Sequence, residues 1–149
     1  NQIQNALPEV HYHAGFIVVK DNQIENFSDP QYMNIKPCKT DEDDHESVSI
    51  EELQLEKAHL HDGIGDVIHI EAVEAKWKDL FTNVRFPIDY SKASAFINGK
   101  QVKNFQDQNI KPYESIVIFL DKNSDVTSYM EKAVTVEHIK EAEAKSEDC

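Results

Sequence analysis

Five histidines are spaced along the chain in a way that suits the binding of a transition-metal ion. Residues two apart in a β-strand project to the same face of a sheet, so a His-x-His pair presents two imidazoles to one ion without backbone distortion. The chain has two such pairs, His11/His13 and His59/His61, and a further histidine, His69, follows the second pair. The sequence therefore predicts a metal site built from these five side chains.

The segment between the second pair and His69 predicts how these side chains meet. The two glycines of Asp62-Gly-Ile-Gly-Asp66 can adopt the positive φ of a tight reversal. If the reversal is symmetric, His59 lies opposite His69, with Cβ atoms ~4.5–5.5 Å apart. A slip of one residue would turn His69 to the other face. Asp62 and Asp66 are close enough to orient ring N–H groups or to ligate directly, although both also suit plain turn chemistry.

Ligand chemistry narrows the metal to copper or zinc. Imidazole binds zinc, copper, nickel and iron, but the chain lacks the Met-rich runs and paired thiols of copper(I) trafficking. An all-imidazole set in an oxidising compartment favours copper(II) or zinc. Such a site should lose its ion below about pH 6, because each ligating imidazole must be neutral. His45, in an acidic run, and His138, on a predicted helix, are expected to be ordinary solvated histidines.

The net charge of −13, from 28 acidic and 15 basic residues, restricts the partners. DNA and RNA would be repelled, and no basic stripe interleaved with aromatic residues opposes this. Cations would be concentrated near such a surface, although acidity also simply keeps a protein soluble. No stretch approaches the ~18–20 apolar residues of a membrane span. The expected partners are a metal ion and, for a homo-oligomer or filament, other copies of the chain.

The two cysteines, Cys38 and Cys149, bear on the compartment. They form no Cys-x-x-Cys motif, which argues against thioredoxin chemistry and thiolate zinc knuckles. An even cysteine count, in a chain that starts at Asn1 without a methionine, favours export and a Cys38–Cys149 disulfide. Two reduced thiols in a cytoplasmic protein are the alternative. We therefore expect an extracytoplasmic protein that is secreted, periplasmic or on the cell surface.

The sequence predicts a single α+β domain over 1–149 that positions the histidines. It has an extended leader over 1–10 and a surface helix and tail over 135–149. Hairpin turns are expected at Asp21-Asn22 and Asn98-Gly99. Strands are predicted within 14–20, 23–27, 59–72, 94–103 and 110–121. Helices are predicted within 49–57, 75–83 and 135–145. Together they form one mixed sheet of short strands and hairpins with two or three helices.

Two resemblances add to this prediction. The segment from Ala95 to Leu120, with its NGK turn and KPYES turn, resembles the last part of β-grasp domains. At HYHAGF, QYMNIKPC, HLHDGIGDVIHIEA and WKDLF the chain resembles a group of uncharacterised prokaryotic proteins that are predicted to be exported. This second resemblance spans roughly 11–120 and is most specific at HLHDGIGDVIH. It implies export and a role for His59 to His69, but no reaction.

Three functions are compatible with these features. The first is an extracytoplasmic copper- or zinc-binding protein that acts in uptake, storage or buffering. The second is a structural cell-surface or filament subunit, in which metal or exposed strands join protomers. The third and least favoured is a metalloenzyme with Glu71, on the strand face of His69, as a base. The chain has no His-Glu-x-x-His helix, Gly-x-Ser-x-Gly elbow or phosphate-binding glycine loop, so no catalytic residue is assigned.

Overall fold

The longest strand, β1 (Tyr12–Lys20), lies inside the sheet and is buried over most of its length. Its apolar side chains include the β-branched and aromatic types that favour a strand covered on both faces. It pairs in parallel with β6 (Ser115–Leu120) and antiparallel with β2 (Gln23–Ile24) and β3 (Val67–Ile70). A strand near the N-terminus is therefore held directly against a strand from the last third of the chain.

The structure, a computed structural model, describes residues 10–33 and 49–145. In this part of the chain, β4 (Ser94–Ile97) and β5 (Lys100–Val102) complete a mixed sheet in the order β2-β1-β6-β4-β5, with β3 also on β1. The α-helices of the described residues are α1 (Ile50–Lys57), α2 (Trp77–Asn83), α3 (Val126–Met130) and α4 (Val136–Lys145). The predicted α+β class with one mixed sheet is confirmed, whereas the narrower β-grasp resemblance is not.

The two faces of the sheet carry different helices. Even-numbered residues of β1, such as Phe16 and Val18, join the larger core with Leu80 of α2. Odd-numbered residues, such as Ile17, join a second core with Ile139 of α4. This alternation follows from the two-residue period of a strand. A side chain at an odd position of β1 or β3 therefore projects to the face that α4 covers.

Local sequence accounts for most of the element boundaries. Asn98 and Gly99 have φ of 50° and 85°, so both have the positive φ that a type I′ hairpin turn requires. A capping box at Ser49 and Glu52 begins α1, within the range predicted for this helix. Strand β2 is shorter than predicted, because the Asn26 side chain accepts hydrogen bonds from the backbone N–H and the hydroxyl of Ser28. Such a local turn competes with sheet pairing.

The segment before the Asp62–Asp66 turn differs from the prediction. His59 and Leu60 make isolated bridges, to His69 and Met33 respectively, rather than a full strand. The two bridges join different neighbours, so no continuous ladder forms along this segment. The pairing of His59 with His69 is nevertheless present, and it is this pairing that positions the rings.

Candidate metal centre

Two sheet contacts bring the histidines together around His69. Register within the β1–β3 pair places His13 beside His69, and the isolated bridge places His59 on the other side of His69. The predicted register of His59 opposite His69 is confirmed. His69 is thus the middle residue of a row of three histidines on the α4 face of the sheet.

The Nδ1 atom of His69 is a point on which other ring nitrogens converge. The Nε2 atom of His13 lies 3.1 Å from it, and the Nε2 atom of His61 lies 2.6 Å from it. The exposed His11 stacks on His69, with ring centroids 4.4 Å apart. Each member of the two triads has a ligand nitrogen within 4.8 Å of the other two, the triads being His11/His13/His69 and His59/His61/His69. All five predicted ligands therefore belong to one cluster, which we call the histidine cluster.

Hydrogen bonds fix which nitrogen of each outer ring is available. The Nδ1 atom of His13 lies 2.9 Å from a carboxylate oxygen of Glu143, and that of His61 lies 2.6 Å from Asp62. The Nδ1 atom of His59 lies 2.8 Å from the carbonyl oxygen of Leu55. Carboxylate and carbonyl oxygens only accept, so each of these Nδ1 atoms carries the ring proton and donates it. The Nε2 lone pairs of the three rings remain, which is the arrangement found around metal-ligating histidines.

Burial keeps the central rings neutral. His13, His59 and His69 have only 3%, 4% and 2% of their surface exposed. Burial, followed by the neighbouring histidines, lowers the pKa of His69 to about 2. Burial also lowers the pKa of His59 to about 4, although its bond to the Leu55 carbonyl opposes the shift. The pKa of His13 is likewise lowered by burial, against the effect of Glu143. Neutral imidazole is the form that binds a metal ion.

Two separations at the Nδ1 atom of His69 are close to the distance between two ligands of one metal ion. Zinc binds imidazole nitrogen at ~2.0–2.1 Å, so two nitrogens of a tetrahedral site lie ~3.3 Å apart. The observed separations of 2.6 and 3.1 Å are slightly shorter, and small ring shifts would open them to this value. A cavity of about 10 Å³ lies beside these atoms, lined by His13, His61, Ile64, Val67, His69 and Ala142. It has room for about one small sphere such as a water molecule or ion.

The Nε2 side of His69 has a different environment. This atom is buried and makes no hydrogen bond to any of the described residues. Carboxylate oxygens of Glu71 lie 3.9 Å from the Nε2 atom of His69 and 3.6 Å from that of His59. An unpartnered buried nitrogen is uncommon in folded proteins, because its desolvation is not compensated.

Asp62 and Asp66, both predicted to lie near the histidine rings, make different contacts. Asp62 orients His61, as the turn spacing suggested. Asp66 lies instead 3.1 Å from the ring of His138 on α4, so the predicted contact of Asp66 with the histidine cluster is replaced by a contact with another helix. His138 is exposed, as predicted, and its ring also contacts Asp66. Cys38, Cys149 and His45 lie outside the described residues.

Glu143 was not among the residues predicted from the sequence, because it lies 130 positions along the chain from His13, whose ring it contacts. This carboxylate accepts hydrogen bonds from both His13 and the hydroxyl of Tyr113. Burial would raise the pKa of Glu143, but the hydrogen bonds from Tyr113 and His13 outweigh this and lower it. Its one sequence signal is helical spacing, because Glu143 follows the buried Ile139 by four residues and so shares its face.

Comparisons with known proteins leave the geometry as the basis for assigning a function. No protein-family model matches the chain, and no match is found among curated proteins or among solved structures. Within residues 10–33 and 49–145, no helix combines the length and the apolar character needed to cross a bilayer.

Proposed function

We propose that the protein is an extracytoplasmic metal-binding protein that holds a copper or zinc ion in the histidine cluster. The observation that carries the proposal is the convergence of the Nε2 atoms of His13 and His61 on the Nδ1 atom of His69. Since the two outer rings carry their protons on Nδ1, each directs an Nε2 lone pair toward His69. His69 thereby belongs to two triads of close ligand nitrogens, His11/His13/His69 and His59/His61/His69, either of which would attract a cation.

Ligand type supports copper(II) or zinc in particular. The convergent atoms are imidazole nitrogens, which are borderline ligands and suit these two ions better than magnesium or calcium, which prefer oxygen. The carboxylates of Glu143 and Asp62 contact the rings on the far side, where they increase the basicity of the ligands. Net charge of −13 adds a long-range attraction for cations.

Burial supports a role in holding the ion. The rings of His13 and His69 are almost fully covered, whereas His11 is exposed and the His61 side chain is partly exposed. An ion would therefore enter past His11 and His61 and then be enclosed, which suits storage, buffering or delivery. The extracytoplasmic location is supported by the even cysteine count and by the resemblance to proteins that are predicted to be exported.

Metal analysis tests the proposal directly. Purified protein is loaded with copper(II) or zinc, dialysed and analysed for metal per chain, beside His61→Gln, His69→Ala and His138→Ala. We expect the first two variants to lose affinity by at least tenfold and His138→Ala to bind as the unmodified protein does. His61 is partly exposed, so its variant should fold even if His69→Ala does not, which circular dichroism would verify. Equal metal content in His61→Gln, His69→Ala and the unmodified protein would overturn the proposal.

A further inference from the structure

Tyr113 occupies a backbone position that suits glycine better than an aromatic residue. It is the third residue of the β-turn that leads into β6, in which the carbonyl of Lys111 accepts a hydrogen bond from the N–H of Glu114. Pro112 at the second position and a φ of 62° at Tyr113 are features of a type II turn. The third position of such a turn favours glycine or asparagine, because a positive φ strains a bulky side chain. Contacts of the Tyr113 side chain therefore have to compensate for this strain.

We propose that Tyr113 is a positioning residue of the metal centre, which orients the ring of His13 through the carboxylate of Glu143. The hydroxyl of Tyr113 donates a hydrogen bond of 2.7 Å to one oxygen of Glu143. The other oxygen of Glu143 lies 2.9 Å from the Nδ1 atom of His13. This inference rests on the proposed function, because His13 is one of the ligands of that site. Tyr113 acts on the ligand and not on the ion.

Two separate routes connect Tyr113 to His13. The backbone N–H of Tyr113 donates a hydrogen bond of 2.8 Å to the carbonyl of His13, which joins the turn to β1. The second route runs through the Tyr113 hydroxyl and Glu143 to the ring of His13. Since the backbone and the ring of His13 are both tied to Tyr113, rotation of the ring would break its bond to Glu143. The Nε2 atom of His13 is thus held facing His69, at 3.1 Å from Nδ1.

Helix α4 contacts the Tyr113 ring at a second position. The Nζ atom of Lys140 lies 5.8 Å from the centroid of this ring, within the range of a cation–π interaction. Lys140 and Glu143 are three residues apart and so share one face of α4. The Tyr113 ring also packs against the second core, to which α4 contributes Ile139. Tyr113 therefore helps to fix the place on the sheet at which α4 presents Glu143.

The hydroxyl of Tyr113 also sets the direction of the Glu143 carboxylate. Each oxygen of this carboxylate has its own donor, Tyr113 on one and His13 on the other. The Glu143 side chain is 35% exposed, so without the hydroxyl it is free to turn toward solvent. His13 would then lose the acceptor that keeps its proton on Nδ1, and the proton could occupy Nε2 instead. A proton on Nε2 prevents that nitrogen from binding a metal ion.

Removing the hydroxyl alone tests the effect on binding. Tyr113→Phe keeps the ring and the backbone, so the variant should fold, which circular dichroism verifies. We expect its copper(II) affinity to fall about threefold to tenfold, less than the ~10–100-fold expected for the direct partner of a ligand. Tyr129→Phe is the matched control, because the hydroxyl of Tyr129 bonds the carbonyl of Asn22, in the turn after β1. Its affinity should equal that of the unmodified chain.

A double variant tests the route through Glu143. In a chain that already carries Glu143→Ala, adding Tyr113→Phe should weaken copper(II) binding no further, because the hydroxyl acts through that carboxylate. A further fall of the same size as in the single variant would refute this route.

Nitrogen NMR of the metal-free chain separates positioning from a general loss of stability. In the unmodified chain the two ring nitrogens of His13 should have widely different shifts, as for one tautomer with its proton on Nδ1. In Tyr113→Phe the two shifts should move toward each other, because both tautomers become populated, whereas Tyr129→Phe should leave them unchanged. Unchanged shifts in Tyr113→Phe, or an affinity equal to that of Tyr129→Phe, would refute the role of Tyr113 and leave the proposed function standing. Shifts that move as expected in a chain that binds no copper would support this role and refute the proposed function.

Discussion

Individual histidines in this site are kept neutral at a thermodynamic cost that depends on pH. His59 is 4% exposed, and burial lowers its pKa from 6.5 to about 4. In the unfolded chain the same ring takes up a proton near its ordinary pKa of ~6.5. Between these two values the unfolded state binds more protons than the folded state, so acid favours unfolding.

The metal-free protein should therefore lose stability as the pH falls from 6.5 to 4. The loss expected from His59 alone is on the order of 3 kcal/mol at the lower end, since each unit of pKa shift corresponds to ~1.4 kcal/mol. Urea unfolding in the presence of a chelator, at pH 7 and at pH 4.5, measures it. His59→Gln should flatten this part of the profile, whereas His138→Ala should leave it unchanged. A profile equally steep in His59→Gln would contradict the assignment.

The same pKa shifts bear on the pH at which metal release is expected. The reference pKa of imidazole predicts release below about pH 6. Burial lowers the pKa of His13, His59 and His69, with His69 at about 2. Protons therefore compete for these three rings only at lower pH than for free imidazole. Retention of the ion somewhat below pH 6 agrees with a buried histidine site.

Glu143 should strengthen metal binding without touching the ion. It holds the His13 ring through Nδ1 at 2.9 Å and so directs Nε2 toward His69. Glu143→Ala should weaken copper or zinc affinity ~10–100-fold, the usual effect of removing the partner of a ligating histidine. Calorimetric titration measures this, with Glu141→Ala, an exposed change on the same helix, as control. Equal affinity in the two variants would show that Glu143 does not position the ring.

The turn at Asp62–Asp66 packs closely against the backbone of Phe27 and Ser28, and this packing helps to position the histidine rings on either side of the turn. A Cβ atom added at Gly65 would lie 2.4 Å from the backbone nitrogen of Ser28 and 2.6 Å from the carbonyl carbon of Phe27. Backbone atoms cannot rotate away, so the turn itself would have to shift. Because His61 and His69 flank this turn, a shift would change the separation of their rings.

Gly65→Ala should therefore reduce both stability and metal affinity. We expect a loss of ~1–3 kcal/mol in unfolding free energy, as for other overpacked positions, together with weaker binding. Gly63→Ala is the matched control, because an added Cβ atom at Gly63 would meet no neighbouring atom. The strain in that variant comes from the φ of 71° alone, which an alanine adopts with difficulty. That variant should lose ~1–2 kcal/mol but keep its metal affinity. Chemical denaturation and metal titration of both variants test the pair, and unchanged metal affinity in Gly65→Ala would contradict the role of its packing.

Pairing between neighbouring segments could be predicted from the sequence, whereas packing between distant elements could not. The two-residue period and the Asp62–Asp66 turn suffice to place His59 opposite His69, because both are local properties of the chain. The parallel pairing of β1 with β6 and the packing of α4 are not local, and no residue in β1 specifies them. Glu143 and the pairing of Asp66 with His138 depend on that packing, which is why they could not be predicted.

The predicted disulfide between Cys38 and Cys149 would join two distant parts of the chain. Both cysteines lie outside the described residues. Closing a loop of about 100 residues would constrain the unfolded chain by ~4.7 kcal/mol in the chain-entropy model. Mass spectrometry of the native protein without reduction should find a mass two hydrogens lower than that of the reduced chain. Two free thiols would remove this support for export.

The contact between His13 and Glu143 also determines when the metal centre can be assembled. During synthesis β1 emerges well before β6 and α4, which lie against it. Contacts between such distant segments form late in folding. A nascent chain therefore displays His11 and His13 without their neighbours, as a weak two-ligand pair. A site that needs both His13 and Glu143 can therefore capture an ion tightly only after α4 has been synthesised and has packed on the sheet.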